Sequence, residues 1–259
     1  MTAFLIGLAA VAVVMGITVA VSRSVGRVAV VDVAWGLMFV AVAISMAVWS
    51  PDWHSLLLAG LVTLWGGRLA WHIGRRSRGH GEDPRYAEML GDAGFGAAVR
   101  RVFLVQAVVA FVISLPLMVA GAYDVRWSWL VWVGVAVWLV GFLFEVVGDA
   151  QLAAYKAQPR ESRPKILDTG LWAWTRHPNY FGDACVWWGL WLAGALATGW
   201  LPGLLTVVAP AAMTYFIRNV TGAKLLERTM STRPGWDEYA ARVPLFFPRP
   251  PRSRGKRRR

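Results

Sequence analysis

The residues of this chain that could do chemistry are a few ionisable side chains set in or beside long apolar stretches. Such groups are costly inside a membrane, so they usually face a cavity or a partner and mark a functional site. Here they are Asp32, Arg68, His72, Glu145, Asp149 and Asp183. Asp32 and Arg68 could instead form a structural ion pair, and His72 could be an interfacial residue one turn beyond Arg68.

A polar stripe is predicted near the end of the fifth apolar stretch. Glu145, Asp149 and Lys156 are spaced four and seven residues apart. This spacing places all three near one face if the helix continues past the membrane surface. The alternative is an ordinary solvated helix face.

The segment around His177 indicates the start of a helix. Pro178 would be its first residue, a position that suits proline, and Asn179 and Asp183 would lie one turn apart. The free N–H groups and positive dipole of a helix start, flanked here by Arg176, suit a phosphate or another anion. We therefore expect an anion-binding site at this position.

The elements that must position these residues are apolar helices. The chain has 259 residues, of which 57% are hydrophobic and 16% are charged, with a net charge of +12. This is too little charge for a soluble domain, and the single cysteine, Cys185, excludes a disulfide scaffold. The composition predicts an all-α integral membrane protein. Its seven expected transmembrane helices are 3–21, 28–47, 55–73, 102–122, 127–148, 180–197 and 201–217.

The positive charges predict the orientation. Of the 27 Lys and Arg residues, all but Arg68 and Arg126 fall in loops on one side or in the tail. Because Lys and Arg gather in cytoplasmic loops, we expect an N-out, C-in topology. Residues 1–248 are expected to form a single domain. Residues 249–259 are expected to form a basic cytoplasmic tail that binds anionic lipid headgroups or fixes the topology, rather than binding nucleic acid.

Several motifs resemble those of a known enzyme superfamily. Arg176-His-Pro-Asn-Tyr-Phe-Gly182 is similar to a motif shared by steroid 5α-reductases, sterol C14-reductases and isoprenylcysteine carboxyl methyltransferases. Further stretches resemble the bacterial DUF1295 branch, which looks like the 5α-reductase side. They are Asp32-Val-Ala-Trp-Gly36, Gly79-His-Gly-Glu-Asp-Pro-Arg-Tyr86, Glu145-Val-Val-Gly-Asp149 and Arg233-Pro-Gly-Trp-Asp-Glu-Tyr239.

The resemblance implies a seven-helix bundle with a cofactor in a polar cytoplasmic cavity and a lipid-like substrate that enters from the bilayer. In the reductases the cofactor is NADPH. The positions that would hold it here are Glu145, Asp149, Lys156, Lys165, Arg176, His177, Asn179, Tyr180, Asp183 and Arg218. Beyond Arg218 the steroid enzymes carry a His and a Tyr, where this chain has Gly222 and Leu226.

Charge also favours NADPH over S-adenosylmethionine. The phosphates of NADPH need Lys and Arg, and the loops on the predicted cytoplasmic side are rich in both. The sulfonium of S-adenosylmethionine needs carboxylates and aromatic faces instead. The alternative, a membrane methyltransferase, would need a cavity for S-adenosylmethionine near Glu227-Arg228. A third possibility is a non-catalytic lipid-binding protein. No metal site is expected, because the four His residues are scattered.

The expected reaction is hydride transfer to the β-carbon of a polarised double bond, of enone type, in a steroid-like or other lipid. The steroid enzymes resembled here use a Glu and a Tyr for the substrate carbonyl, a pair with no residue-by-residue match in this chain. Asp32 is the nearest candidate for the acid, with His72 or Arg68 as its partner and Tyr86 as the second choice. We expect a monomer in the inner (plasma) membrane with its cofactor site facing the cytoplasm.

Overall fold

A computed structural model describes residues 1–251, and all regular secondary structure in them is helical. The basic tail predicted at 249–259 therefore lies largely outside the described residues. The α-helices are α1 (Thr2–Val25), α2 (Val30–Trp49), α3 (Trp53–Ser77), α4 (Pro84–Leu90), α5 (Phe95–Ala98), α6 (Leu104–Ile113), α7 (Leu115–Ala122), α8 (Ser128–Ala157), α9 (Pro178–Gly194), α10 (Trp200–Thr206), α11 (Val208–Tyr215), α12 (Ala223–Met230) and α13 (Trp236–Arg242).

Two short π-helical turns interrupt the α-helices. Val99–Phe103 joins α5 to α6, and Phe216–Val220 follows α11. Within the described residues, six helical runs are long and apolar enough to cross a membrane. They are Thr2–Val25, Val30–Trp49, Trp53–Ser77, Phe95–Ile113, Ser128–Ala157 and Trp200–Met230. The sequence thus correctly predicts an all-helical protein with several membrane-spanning helices.

Three of the predicted spans differ from the helices observed. The span predicted at 201–217 is divided at Val207 between α10 and α11. The span predicted at 180–197 corresponds to α9, whose 17 residues extend only about 26 Å at 1.5 Å per residue. The span predicted at 102–122 begins earlier, at Phe95, and is interrupted at Ser114. Pro116 explains the interruption, because proline has no N–H to continue the hydrogen bonding of the preceding helix.

The chain folds as two compact units. Unit 1 comprises Met1–Trp132 and Leu190–Ala209, and unit 2 comprises Val133–Gly189 and the chain from Pro210 onward. The expected single domain at 1–248 stays a prediction.

In unit 1 the backbones of α2 and α3 touch. A Cβ atom built on Gly36 would lie 2.5 Å from the carbonyl oxygen of Gly66. Beside this contact, the buried rings of Phe39 and Trp65 pack with their centroids 5.8 Å apart. The close approach thus allows the large side chains around it to interlock.

The start of α3 is held by Asp52 and His54. The Asp52 carboxylate accepts hydrogen bonds from the backbone N–H groups of His54 and Ser55 at 2.8 and 3.0 Å, as a helix N-cap does. Burial opposes ionisation of Asp52, but hydrogen bonds from Ser55, Ser50 and His54 outweigh it and lower the pKa of this carboxyl. The buried His54 ring contacts the carbonyl oxygen of Ala193 at 2.7 Å.

Unit 2 contains a second pair of helices in backbone contact. A Cβ on Gly182 of α9 would lie 2.5 Å from the Gly141 carbonyl oxygen of α8, and one on Gly189 would lie 2.6 Å from the Gly134 carbonyl oxygen. Small residues let apolar helices approach closely in membranes, where packing drives their association. This contact fixes the position of the residues at the start of α9.

The α2–α3 contact gives a matched pair of variants. Gly66→Ala would place a methyl group 2.7 Å from the Gly36 carbonyl oxygen and 2.9 Å from Val40, whereas Gly67→Ala meets nothing within 4 Å. We expect Gly66→Ala to destabilise the protein by about 1–3 kcal/mol. Gly67→Ala should be neutral or stabilising by up to about 1 kcal/mol. Thermal unfolding in detergent measures both, and equal Tm values would contradict the packing described.

Candidate functional site

The candidate residues fall into two groups, one in each unit. Unit 1 contains Asp32, Arg68, His72 and Tyr86. Unit 2 contains Glu145, Asp149, Lys156, Lys165, Arg176, His177, Asn179, Tyr180, Asp183 and Arg218.

In unit 1 the structure brings Asp32 and Tyr86 into direct contact. Asp32 lies in the first turn of α2, and the phenol of Tyr86, on α4, donates a hydrogen bond to its Oδ1 atom at 2.5 Å. Arg85 contacts the other oxygen, Oδ2, at 2.8 Å. The side chain of Asp32 is 22% exposed, and one donor contacts each of its two carboxylate oxygens.

The Tyr86 hydroxyl also accepts a hydrogen bond. The side-chain amide of Gln106 donates to it at 3.1 Å, so hydrogen bonds run from Gln106 through Tyr86 to Asp32. Burial and the charge of Asp32 raise the pKa of Tyr86 well above its ordinary value. The phenol therefore keeps its proton at neutral pH and is a hydrogen-bond donor.

The loop before α4 holds this group in place. Glu82 accepts hydrogen bonds from the backbone N–H groups of Val28 and Ala29 at 2.5 and 2.9 Å, which are donors that a helix start leaves unpaired. Asp83 caps α4 by accepting from the N–H of Arg85 at 2.9 Å, and it also binds the Arg85 guanidinium. The side-chain hydrogen bond from Arg85 is the main cause of the lowered pKa of Asp83.

Glu82, Arg85 and Gln106 were not among the residues predicted from the sequence. Two signals pointed to them: Glu82 and Arg85 belong to the 79–86 motif, and Gln106 is a polar amide inside an apolar stretch. Arg68 and His72 lie one turn apart on α3 and are half-buried. Their predicted role beside Asp32 stays a prediction.

In unit 2, α9 begins at Pro178, as predicted. The stripe hypothesis is also supported, since α8 continues without interruption to Ala157 and so includes Glu145, Asp149 and Lys156. Glu145 is buried, with 4% exposure, beside Gly182. The amide of Asn179 donates to Asp149 Oδ1 at 3.3 Å, which links the start of α9 to the stripe.

Arg176 makes four hydrogen bonds within the protein. Its Nε and Nη2 atoms donate to the two carboxylate oxygens of Glu227 at 2.7 and 3.2 Å. Its Nη1 atom donates to the carbonyl oxygens of Ala240 and Val243, both at 2.8 Å. A guanidinium has five N–H donors, so little of this one is left for a phosphate. The contacts favour a positioning role for Arg176.

His177 shares the same carboxylate. Its Nε2 atom lies 3.1 Å from Glu227 Oε1, and its buried ring stacks on Tyr180 with centroids 5.4 Å apart. Glu227 therefore faces one guanidinium and one imidazole, an environment that does not favour a sulfonium beside it.

The segment 170–177 is further enclosed by residues near the end of the described chain. The Thr175 hydroxyl donates to the Phe246 carbonyl oxygen at 2.9 Å, and the Tyr239 hydroxyl donates to the Trp172 carbonyl oxygen at 2.8 Å. Burial raises the pKa of Tyr239. Together with Arg176, these contacts tie the start of α9 to residues 239–246.

The remaining cations of unit 2 differ in their surroundings. Lys156 and Lys165 are exposed. Arg218 lies half-buried in the Phe216–Val220 turn, and its Nε atom is buried without a hydrogen-bond partner among the described residues. Because an unsatisfied buried donor is costly, Arg218 is well suited to an anionic ligand. The part of the chain that the structure describes contains no cluster of three or more His, Cys, Asp or Glu side chains that could hold a metal ion.

The Arg176 contacts can be tested by conservative substitution. Arg176→Lys keeps the charge but loses the forked contact with Glu227, so we expect a loss of about 1.5–3 kcal/mol in the free energy of unfolding. Hydrogen exchange at residues 236–243 should also become faster. The control is Arg242→Lys, because the Arg242–Asp168 pair is more exposed and such pairs contribute about 0–1 kcal/mol. Equal effects of the two substitutions would contradict a positioning role.

Comparison with known proteins places this architecture in one family. A family model described as "Protein of unknown function (DUF1295)" matches residues 18–243, which include both groups of candidate residues. No curated protein and no solved structure matches the chain. The match covers most of the chain, so the protein belongs to the DUF1295 family.

Proposed function

We propose that this DUF1295 protein is an NADPH-dependent membrane reductase acting on a polarised C=C bond, of enone type, in a steroid-like or other lipid. The observation that carries the proposal is the contact between Asp32 and Tyr86. An acid and a tyrosine are the residue types that the steroid 5α-reductase resemblance implies for the substrate carbonyl. From the sequence, Tyr86 was only one of three possible partners of Asp32.

The chemistry of the pair suits this reaction. When a hydride adds to the β-carbon of an enone, negative charge develops on the carbonyl oxygen, and a positioned hydrogen-bond donor stabilises it. Tyr86 can be such a donor, since its raised pKa keeps the phenol protonated. Its single proton is donated to Asp32 in this structure, so in our proposal the hydroxyl turns from Asp32 to the carbonyl oxygen when the lipid binds. Gln106 donates to the phenol oxygen and makes its proton more acidic.

The residues of unit 2 fit a phosphate-bearing cofactor. Arg218 has a buried Nε–H without a described partner, and Lys156 and Lys165 are exposed cationic residues. Asn179 and Asp149 offer an amide and a carboxylate for hydroxyl or carboxamide groups. We propose that these residues hold NADPH, which supplies the hydride when it is bound.

We further propose seven spans with an N-out, C-in topology, in a monomer of the inner membrane whose cofactor site faces the cytoplasm. The seventh span would be α9, extended by the one-turn helix Leu196–Thr198. The resulting run of helix falls within the length of about 17–25 residues that can cross a bilayer. The uneven distribution of Lys and Arg supports the orientation.

Cofactor binding is the first test. Purified protein in detergent is heated with NADPH, NADH or S-adenosylmethionine. A ligand at about one hundred times its Kd adds about 2.7 kcal/mol to the free energy of unfolding, so we expect NADPH to raise Tm. A shift with S-adenosylmethionine alone would indicate a methyltransferase, and no shift with any of the three would indicate a non-catalytic lipid-binding protein.

The second part of the test concerns the pair itself. Against a panel of enone lipids, Asp32→Asn and Tyr86→Phe should each lower NADPH-dependent turnover by about 10²–10³-fold, while the NADPH-induced rise in Tm is retained. Asp124→Asn and Tyr123→Phe are matched controls, because both residues are exposed and should leave turnover unchanged. Undiminished turnover in Asp32→Asn would remove Asp32 from the mechanism.

A further inference from the structure

A cavity in unit 1 lies outside both groups of candidate residues. It has a volume of about 720 Å³ and is formed by the last turns of α1, the α1–α2 turn and residues 90–99. This volume is in the range of about 300–1,000 Å³ that is typical of small-molecule sites.

The wall of this cavity combines cations with apolar side chains. Arg23 and Arg27 line it, none of its lining residues is acidic, and Val19, Leu90 and Phe95 are among its apolar lining residues. The Arg23 guanidinium lies 5.9 Å from the centre of the Phe95 ring, within cation–π distance. The cavity is therefore suited to a molecule that is both anionic and apolar.

Arg27 provides an independent indication of a ligand. Its Nε atom is buried and has no hydrogen-bond partner among the described residues. Its two terminal nitrogens contact only the Ser77 carbonyl oxygen in the described hydrogen bonds, at 3.5 Å, which is the outer limit of hydrogen bonding. An unmet buried donor is costly. Arg27 is half-buried and lines the cavity, so an anion bound there would lie beside its guanidinium.

The position of the cavity along α1 favours a lipid. Arg23 lies in the last turn of this 24-residue apolar helix, so the cavity is at the level where the predicted span ends. Val19 lines the cavity one turn before Arg23, and the exposed Leu8 and Ala12 continue the same face of α1 toward its start. This face offers a path for an acyl chain whose headgroup contacts the arginines. Free phosphate would use only the cationic part.

We propose that this cavity binds an anionic phospholipid through Arg23 and Arg27. Basic pockets at the ends of spanning helices are a common arrangement for anionic headgroups. The site does not depend on the proposed reductase activity, and its failure would leave that activity untouched.

The test uses the full chain in detergent, with lipid binding measured by native mass spectrometry. We expect phosphatidylglycerol to bind more tightly than phosphatidylcholine, and Arg23→Gln and Arg27→Gln each to weaken phosphatidylglycerol about fivefold. Arg100→Gln is the matched control, because Arg100 is exposed nearby and does not line the cavity. Tm values measured without lipid identify any variant that fails to fold. If Arg27→Gln fails to fold, Arg23→Gln provides the test, because Arg23 is exposed.

Three results would overturn the proposal. An equal loss of phosphatidylglycerol affinity in Arg100→Gln would show that the lipid is attracted by general positive charge and not by this cavity. Equal affinity for the two lipids would show that the headgroup is not recognised. Binding of glycerol 3-phosphate as tight as that of phosphatidylglycerol would identify a site for free phosphate instead.

Discussion

A carboxylate in the first turn of an apolar helix must be matched by nearby donors, and unit 1 is arranged to match Asp32. These donors come from the 79–86 segment, in which Arg85 and Tyr86 each bind one carboxylate oxygen of Asp32. That segment is held in turn by Glu82, which accepts the unpaired N–H groups at the start of α2. The same loop therefore completes the helix and delivers a protonated tyrosine to the carboxylate, so the candidate chemistry follows from the requirement to satisfy buried polar groups.

A similar requirement organises the start of α9 in unit 2. Arg176 is kept there by Glu227 and by two carbonyl oxygens near α13, which together take up most of its donors. From the sequence, Arg176 was expected to bind an anion, but in the structure it holds the surrounding backbone in place. Arg218 instead has a buried donor without a described partner. Cofactor selectivity, in our proposal, rests on Arg218 and the exposed lysines.

Local patterns predict much of the fold. Pro178 marks the start of α9, and the spacing of Glu145, Asp149 and Lys156 indicates a helix that continues beyond the apolar stretch. Partner choice is different, because Asp32 and Tyr86 are 54 residues apart, and Arg176 and Glu227 are 51 apart. Such pairs depend on how helices and loops pack, which no periodicity encodes. The sequence therefore offers Tyr86 as only one of three possible partners of Asp32, and it does not single out Glu82 or Gln106.

The contact between Asp32 and Tyr86 is tested most directly by titrating the phenol. The ultraviolet absorbance of tyrosinate is followed against pH in the wild type and in Tyr86→Phe, and the difference reports Tyr86. Because burial and the charge of Asp32 raise its pKa, we predict no ionisation of Tyr86 near pH 10, where a free phenol is about half ionised. Removal of the Asp32 charge in Asp32→Asn should lower that pKa. Half-ionisation of Tyr86 near pH 10 in the wild type would contradict the account.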